Sequence, residues 1–418
     1  MRRSLVLLVV IAVASVVQPA NATSGALDPA FSHDGIATAF ATGSVATAVA
    51  IDHAGRTVVA GYTVDAHVDV VVARFRPDGT FDPSFNGDGR LRMSLGASAA
   101  LAFDVAVAGD NGLAIAGRWT GGGIEDSFVL RLGPGGEPLA AFGGDGLATV
   151  NFGKQETANA VSFTPSGAID IGGYVSNGST MRSALARLRP EGTLDPAFGG
   201  DGRQILDLSA GAEQVNDLVV MPSGDIVAAG YAEFGTVPRF AIVRVHGNGD
   251  VATGFGHAGV TRTDLGPGAD IANAIAVTGT GGFVLAGSAA NGGHADWGIV
   301  RYTSNGLPDP TFGNAGVVIL AWSAAPDRAD GVVRVGAKLL VTGRIHRATT
   351  ADDAAVARLR ADGSLDPTFA TNGVARVDVG RGTDAAHGIA RQPNGKIVVA
   401  GETWRKGVPR FLVIRLTA

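Results

Sequence analysis

The chain has no cysteine in 418 residues, so it can form no disulfide and carries no thiol nucleophile. Tryptophan and tyrosine are scarce at four each, and charged residues make up only 17%. The formal net charge is −5. No basic field is present to hold nucleic acid, and no motif of the known nucleic-acid-binding modules occurs. The common catalytic signatures are also missing: there is no Gly-x-Ser-x-Gly elbow, no His-Glu-x-x-His, no phosphate-cradling loop and no dinucleotide fingerprint. The eight histidines are scattered along the sequence. Repeats can gather distant residues, so this argues against an enzyme without excluding one.

Long apolar runs are lacking too. The one candidate, Leu5 to Val17, has 13 residues, fewer than the ~20 a helix needs to span a bilayer. Arg2 and Arg3 precede it and Ala20-Asn21-Ala22 follows it. A basic start, a short apolar stretch and a small-x-small site describe a secretory signal peptide, residues 1–22, cleaved after Ala22. The expected destination is the periplasm, cell surface or medium. Residues 23–418 then form one body with 31 basic and 38 acidic residues, a net charge of −7. No other stretch is expected to cross a membrane.

What the chain has in abundance is glycine, 62 residues, and a phrase that returns seven times. An apolar run ends in arginine at Arg74, Arg131, Arg187, Arg244, Arg301, Arg358 and Arg415, at intervals of 56 or 57 residues. Each phrase carries an aromatic anchor: Phe31, Phe85, Phe142, Phe198, Phe255, Phe312 and Phe369. Such a period means one supersecondary unit copied and stacked. Within a unit, four Val- and Ala-rich runs are bounded by Gly, Pro, Asn and Asp, the marks of short strands and turns. We call them a to d. In strand c the residue before each arginine and the one before that are both apolar, so both faces are covered. A ring of sheets packed face to face achieves this, and the fold class expected is all-β, a seven-bladed β-propeller of four-stranded antiparallel blades. A linear solenoid would need polar caps that the sequence does not display.

The two ends of the chain complement each other. Gly35–Phe40 reads as a strand d, while Phe411–Leu416 reads as a strand c that lacks its d. Ile36–Phe40 is therefore expected to pair beside the strand ending at Leu416 and close the ring.

The stretches Asn394-Gly395-Lys396-Ile397-Val398-Val399-Ala400-Gly401 and Asp362-Gly363-Ser364-Leu365-Asp366-Pro367-Thr368-Phe369 resemble the delta-60 repeat family of secreted bacterial β-propellers. The similarity covers essentially residues 27–418. Leu139-Ala140 and Ala252-Thr253 depart from it where Asp-Pro is expected. The resemblance implies a propeller and export. It brings no activity, cofactor or catalytic residue.

The seven arginines are expected to serve the blades, bonding turn carbonyls with optional help from the linker Asp. In Asp-Pro-x-Phe, Asp should cap a short helical turn and Phe should plug the blade. A second ring stands four residues before the small residue of strand a: Glu156, Glu213, Asp270, Asp327 and Asp384, with Ser44 and Ala100 in the other two copies. Strand a is innermost in a propeller, so these acids are expected at the rim of the channel, where hard oxygen ligands would suit Ca²⁺. Alternatively, each acid accepts hydrogen bonds from its own d–a turn. No other cofactor is implied.

The b–c loops are where the copies differ, and variable loops on a rigid scaffold usually carry binding. The candidates there are His67, Trp119, His294, His346, Arg347, Trp404 and Arg405, while Trp297 aligns with Phe240 and Phe411 as blade core. The sequence thus favours an exported, non-catalytic protein presenting its b–c loops to a glycan, peptide or protein partner. A propeller hydrolase or lyase with Ca²⁺ at the acidic rim and His387 or His346 as base is the alternative, and a purely structural envelope or surface protein is another.

Overall fold

The repeat dictates the blade. In the first, strands Ser44–Ile51, Thr57–Thr63, Val70–Phe75 and Arg90–Met93 pair antiparallel in chain order. Five more sheets follow the same order, with innermost strands Ala99–Val107, Gln155–Phe163, Glu213–Val220, Asp270–Val277 and Arg328–Val335. The seventh holds Asp384–Arg391, Ile397–Arg405 and Val408–Leu416, and takes its outer strand from the other end of the chain. The computed structural model describes residues 24–40, 43–96, 98–121, 123–291, 293–347, 351–380 and 382–418. Residues 1–22, expected to be a signal peptide, lie outside them. Among the described residues no helix is long and apolar enough to cross a membrane.

Each innermost strand contacts its two neighbours, and Ser44–Ile51 touches both Ala99–Val107 and Asp384–Arg391, so the ring is closed. The protein is a seven-bladed β-propeller, as expected. The latch is shorter than the expected five residues. Only Ile36 and Ala37 pair as strand, opposite Ile414 and Val413. It is extended on the other side instead. The amide of Gly25 donates to Thr417, that of Thr417 to Ala26, and that of Asp28 to Arg415, at 2.8–2.9 Å. Beyond the strand, Phe40 packs edge-on to Phe411 at 5.3 Å.

The core lies between blades. All seven phenylalanine anchors are at most 3% exposed. Six of the seven rings rest against a turn glycine of an adjoining segment. A Cβ added to Gly306 would lie 2.5 Å from the Phe255 ring, and Gly306 also takes φ +78°, which only glycine adopts freely. In five blades the repeat arginine stacks on its own anchor: Arg74 on Phe85, Arg187 on Phe198, Arg301 on Phe312, Arg358 on Phe369 and Arg415 on Phe31, at 4.7–5.0 Å.

The arginines do serve the blades, but the carboxylate is more than optional. The Nε of Arg74, Arg301, Arg358 and Arg415 donates to Oδ2 of Asp82, Asp309, Asp366 and Asp28 at 2.8–2.9 Å. The other oxygen of the same Asp accepts the amide two residues on, capping the turn as expected. A third contact crosses the blade gap: Arg74 donates to the Pro134 carbonyl and Arg187 to that of Gly247, both at 2.6 Å. Where the linker Asp is missing, substitutes appear. Arg131 bonds the carbonyls of Leu113 and Leu132 and stacks on Phe163, and Arg244 pairs with Asp225.

Candidate functional site at the mouth of the central channel

The site is built by an irregularity repeated seven times. In every innermost strand the ladder skips one residue, as between Ala46 and Ala48. A β-bulge of this kind bends the strand and re-aims the extra side chain. The bulged residues are Thr47, Phe103, Asn159, Asn216, Asn273, Asp330 and His387, and together they line the channel. The second strand makes room with a glycine. A Cβ on Gly61 would fall inside the Val45 carbonyl oxygen, and Gly117, Gly173, Gly230, Gly287, Gly343 and Gly401 hold the same position.

Four bulge residues also tie blades together. Thr47 donates to the Ala102 carbonyl at 3.0 Å, and Asn159, Asn216 and Asn273 donate to Val215, Ala272 and Ala329 at 2.7–2.8 Å. Each link runs to the next blade, the three Asn through the amide nitrogen, and the Asn216 amide oxygen in turn accepts from Gln214 at 2.6 Å. Two aspartates at the waist do similar work. Asp104 accepts the amides of Val105 and Val161, and Asp217 those of Leu218 and Ile275, at 2.7–2.8 Å. They line the waist of the channel, half-buried among the innermost strands. That burial, with Asp104 nearby, pushes Asp217 up to about 8.

Above the waist the channel widens to about 410 Å³. Its walls add Val45, Gln214 and Arg328 from the starts of innermost strands and Tyr62 and Glu402 from the ends of second strands. The mouth therefore opens on the b–c loop face, and all seven blades contribute to it. Tyr62 and Phe103 meet edge to face at 6.5 Å. His387 lies between two carboxylates, with Nδ1 4.0 Å from Asp330 and Nε2 3.8 Å from Glu402. Arg328 pairs with Asp330, and Trp404 donates to Glu402 at 3.1 Å. Burial alone would raise the Glu402 pKa; the His387 and Trp404 contacts outweigh it and hold the carboxyl below its ordinary range. Burial and the Glu402 charge raise the Tyr62 hydroxyl.

The five expected rim acids are placed differently. Glu156, Glu213, Asp270, Asp327 and Asp384 are at most 1% exposed. Each accepts amides of its own d–a turn: Glu156 from Phe152 and Lys154, Glu213 from Leu208, Asp270 from Leu265, Asp327 from Trp322 and Ser323, and Asp384 from Val379, at 2.7–3.2 Å. The axial cation ring expected of them is not formed, because the amides draw each carboxylate back into its own blade. One member joins another group. Asp353, Asp378 and Asp384 bring their oxygens within 4.8 Å of one another, the single such trio among the described residues. Arg347 already pairs with Asp353 and Asp378.

The loop candidates are spread around the rim. His67 is exposed. Trp119 donates to the Leu95 carbonyl at 3.2 Å and packs on blade core. His294 lies 3.5 Å from Asp296, and His346 is 2.9 Å from Asp352. Arg405 donates to the Val379 carbonyl, and only Trp404 touches the channel mouth, through Glu402. Trp297 is fully buried, as blade core should be. Tyr62, Asp330, Glu402 and the three asparagines were not singled out from sequence. The available signal was the strand-b glycine, which marks a bulge opposite.

Six segments, residues 55–85, 164–198, 222–255, 283–312, 338–369 and 392–418, match the family model described as a domain of unknown function (DUF5122) beta-propeller. The chain is a β-propeller repeat protein. Comparison with curated protein sequences gives no match. Among solved structures, a streptogramin B lyase superposes with a TM-score of 0.54 at 11% identity, covering 90% of this chain and 96% of that one. Sqt1 of Chaetomium thermophilum bound to the N-terminus of ribosomal protein L10 gives 0.49 at 13% identity, over 90% and 97%. The polysaccharide lyase Uly1 gives 0.47 at 10%, over 89% of each. At these identities the likeness is one of fold.

Proposed function

We propose that this repeat protein is an exported binding protein whose site is the channel mouth, and that its ligand is a glycan. One observation carries the reading: all seven blades send side chains into a single 410 Å³ cavity, a size typical of small-ligand sites. The lining is rich in amide and carboxylate oxygens, with Tyr62 and Phe103 as an aromatic wall. Hydroxyl groups of a sugar suit such acceptors, and a sugar face suits the rings. The fixed charges of Arg328, Asp330 and Glu402 sum to −1, which disfavours an anionic ligand. Among the described residues calcium has one place to go in this reading, the Asp353–Asp378–Asp384 group, where it would displace Arg347. Export rests on the signal peptide pattern at residues 1–22.

A second reading, hydrolase or lyase, draws on His387, which has a carboxylate within 4.0 Å of each ring nitrogen. A base oriented by an acid is the arrangement general-base chemistry uses. The test is a glycan array followed by calorimetric titration of the hits. Binding that Tyr62→Ala and Glu402→Gln each weaken about tenfold or more supports the mouth; binding that neither changes removes it. Release of shortened or unsaturated glycan, lost in His387→Ala, would select the second reading.

A further inference from the structure

On the opposite face one blade breaks the pattern. In six blades five residues join the innermost strand to the second, as in Asp52–Arg56 and Thr278–Gly282. These turns close alike: the first amide donates to the last carbonyl and the fourth amide to the first carbonyl. In the sixth blade the ladder runs on to Val335 and Lys338, and only Gly336 and Ala337 remain. Gly336 takes φ +61°, the left-handed conformation a tight hairpin of the II′ type requires at its first position.

The tight turn leaves a gap. Elsewhere on this face the turns are tied to neighbours: Gln392 donates to Gly55 at 3.1 Å, Arg187 to Gly224 at 3.0 Å, and the His53 amide to Asn111 at 2.8 Å. Among the described residues, Gly336 and Ala337 form no hydrogen bond to the fifth blade. Between the two blades lies a cleft of about 450 Å³ whose polar groups are Thr278, Thr280, Arg301, Asp309, Thr311 and Arg334.

Its charges do not cancel. Arg301 is paired with Asp309 at 2.9 Å. Arg334 forms no ion pair among the described residues; it is exposed and donates only to the Gly336 carbonyl in its own turn, at 3.1 Å. Its guanidinium reaches across the gap, 3.4 Å from where a Cβ on Gly279 would stand. Arg301 spends one hydrogen each on Asp309, Thr311 and the Ala361 carbonyl. A guanidinium carries five, so two remain. The cleft thus offers donors from two arginines, with threonine hydroxyls beside them and one positive charge in excess.

We propose that this cleft binds a tetrahedral oxyanion, a phosphate or sulfate group, held chiefly by Arg334. Guanidinium forks match the paired oxygens of such groups. The site is separate from the channel mouth and does not depend on the glycan reading. The test is calorimetric titration of the full secreted protein with inorganic phosphate and, in a second arm, inorganic sulfate, in chloride buffer. The wild type should bind saturably with one site. Arg334→Gln, at an exposed strand position, and Ala337→Glu, in the exposed turn, should each weaken binding about tenfold or more while melting like the parent, and Tyr62→Ala should leave it unchanged. The arm that saturates at lower concentration names the preferred group. Absence of saturable binding in both arms, or wild-type affinity in either variant, overturns the proposal.

Discussion

The Nε of Arg415 donates to Oδ2 of Asp28 at 2.8 Å, across 387 residues of sequence. Both side chains are buried. The pair repeats the contact Arg74 makes with Asp82 eight residues away, so the two ends of the chain rebuild, between them, a contact that other blades make within one repeat.

This latch should dominate stability. Arg415→Ala leaves Asp28 buried with only the more exposed Lys396 at 3.3 Å. A cost of about 3–5 kcal/mol is expected, the usual penalty for breaking a buried pair. Asp28→Asn combined with Arg415→Ala should cost less than Arg415→Ala alone. Urea melts of the parent and these two variants measure this, and equal losses would contradict it.

Stability should also fall as pH rises from 5 to 8. Burial pushes Glu156 and Glu213 up to about 7 and Asp270 up to about 6, above ordinary values of 4.5 and 3.8. The folded state therefore holds protons that the unfolded chain has already released, and each unit of pH above the ordinary value costs stability until the folded value is passed. At the acid end the sign reverses. Burial opposes ionisation of Asp28, but Arg415, the Ala30 amide and Lys396 outweigh it and hold its pKa low, so its contribution is lost as pH falls below about 4. Melting temperature should peak near pH 5. Glu213→Gln should flatten the alkaline limb, and an unchanged limb would contradict the assignment.

Glycine at the second-strand position should matter for binding as well as folding. Gly401→Ala would drive a Cβ into the Ala385 carbonyl and undo the bulge that aims His387. Gly395→Ala, at φ +90° with Ala418 Cβ 3.3 Å away, bears mainly backbone strain of about 1 kcal/mol. The expected result is loss of both stability and glycan binding in the first variant, and a small loss of stability alone in the second.

The ring was legible because it follows from periodicity. The spacing of Arg74 to Arg415, the doubly apolar c strands and the complementary ends left few alternatives to a closed propeller. The caps at Asp28 and Asp82 were legible for the same reason. The channel lining was not. Strict alternation along strand a points to the small residues, Ala48 and its equivalents, and passes over Thr47, Asn159 or His387 beside them. The bulge that turns those side chains to the axis shifts the register by one, and its signal, Gly61 and its equivalents, lies on another strand. The rim acids were misplaced for a related reason. Alternation places Glu213 near the axis, but the Leu208 amide draws its carboxylate inward to the blade.

Substitutions at the mouth should separate binding from stability. Tyr62→Ala and Glu402→Gln are expected to lower glycan affinity about tenfold or more and to shift the melting temperature little. Asn216→Ala also cuts the link to the Ala272 carbonyl, so it should lower both. Titration and melting of the same preparations test the distinction.

A crystal structure of the protein soaked with its best glycan from an array addresses the central claim most directly. The account predicts sugar density on the channel axis, against Tyr62 and within hydrogen-bonding distance of Glu402 and the Asn216 side chain. Density on the outer loops near His67 or Arg405, with the axis unoccupied, would contradict it.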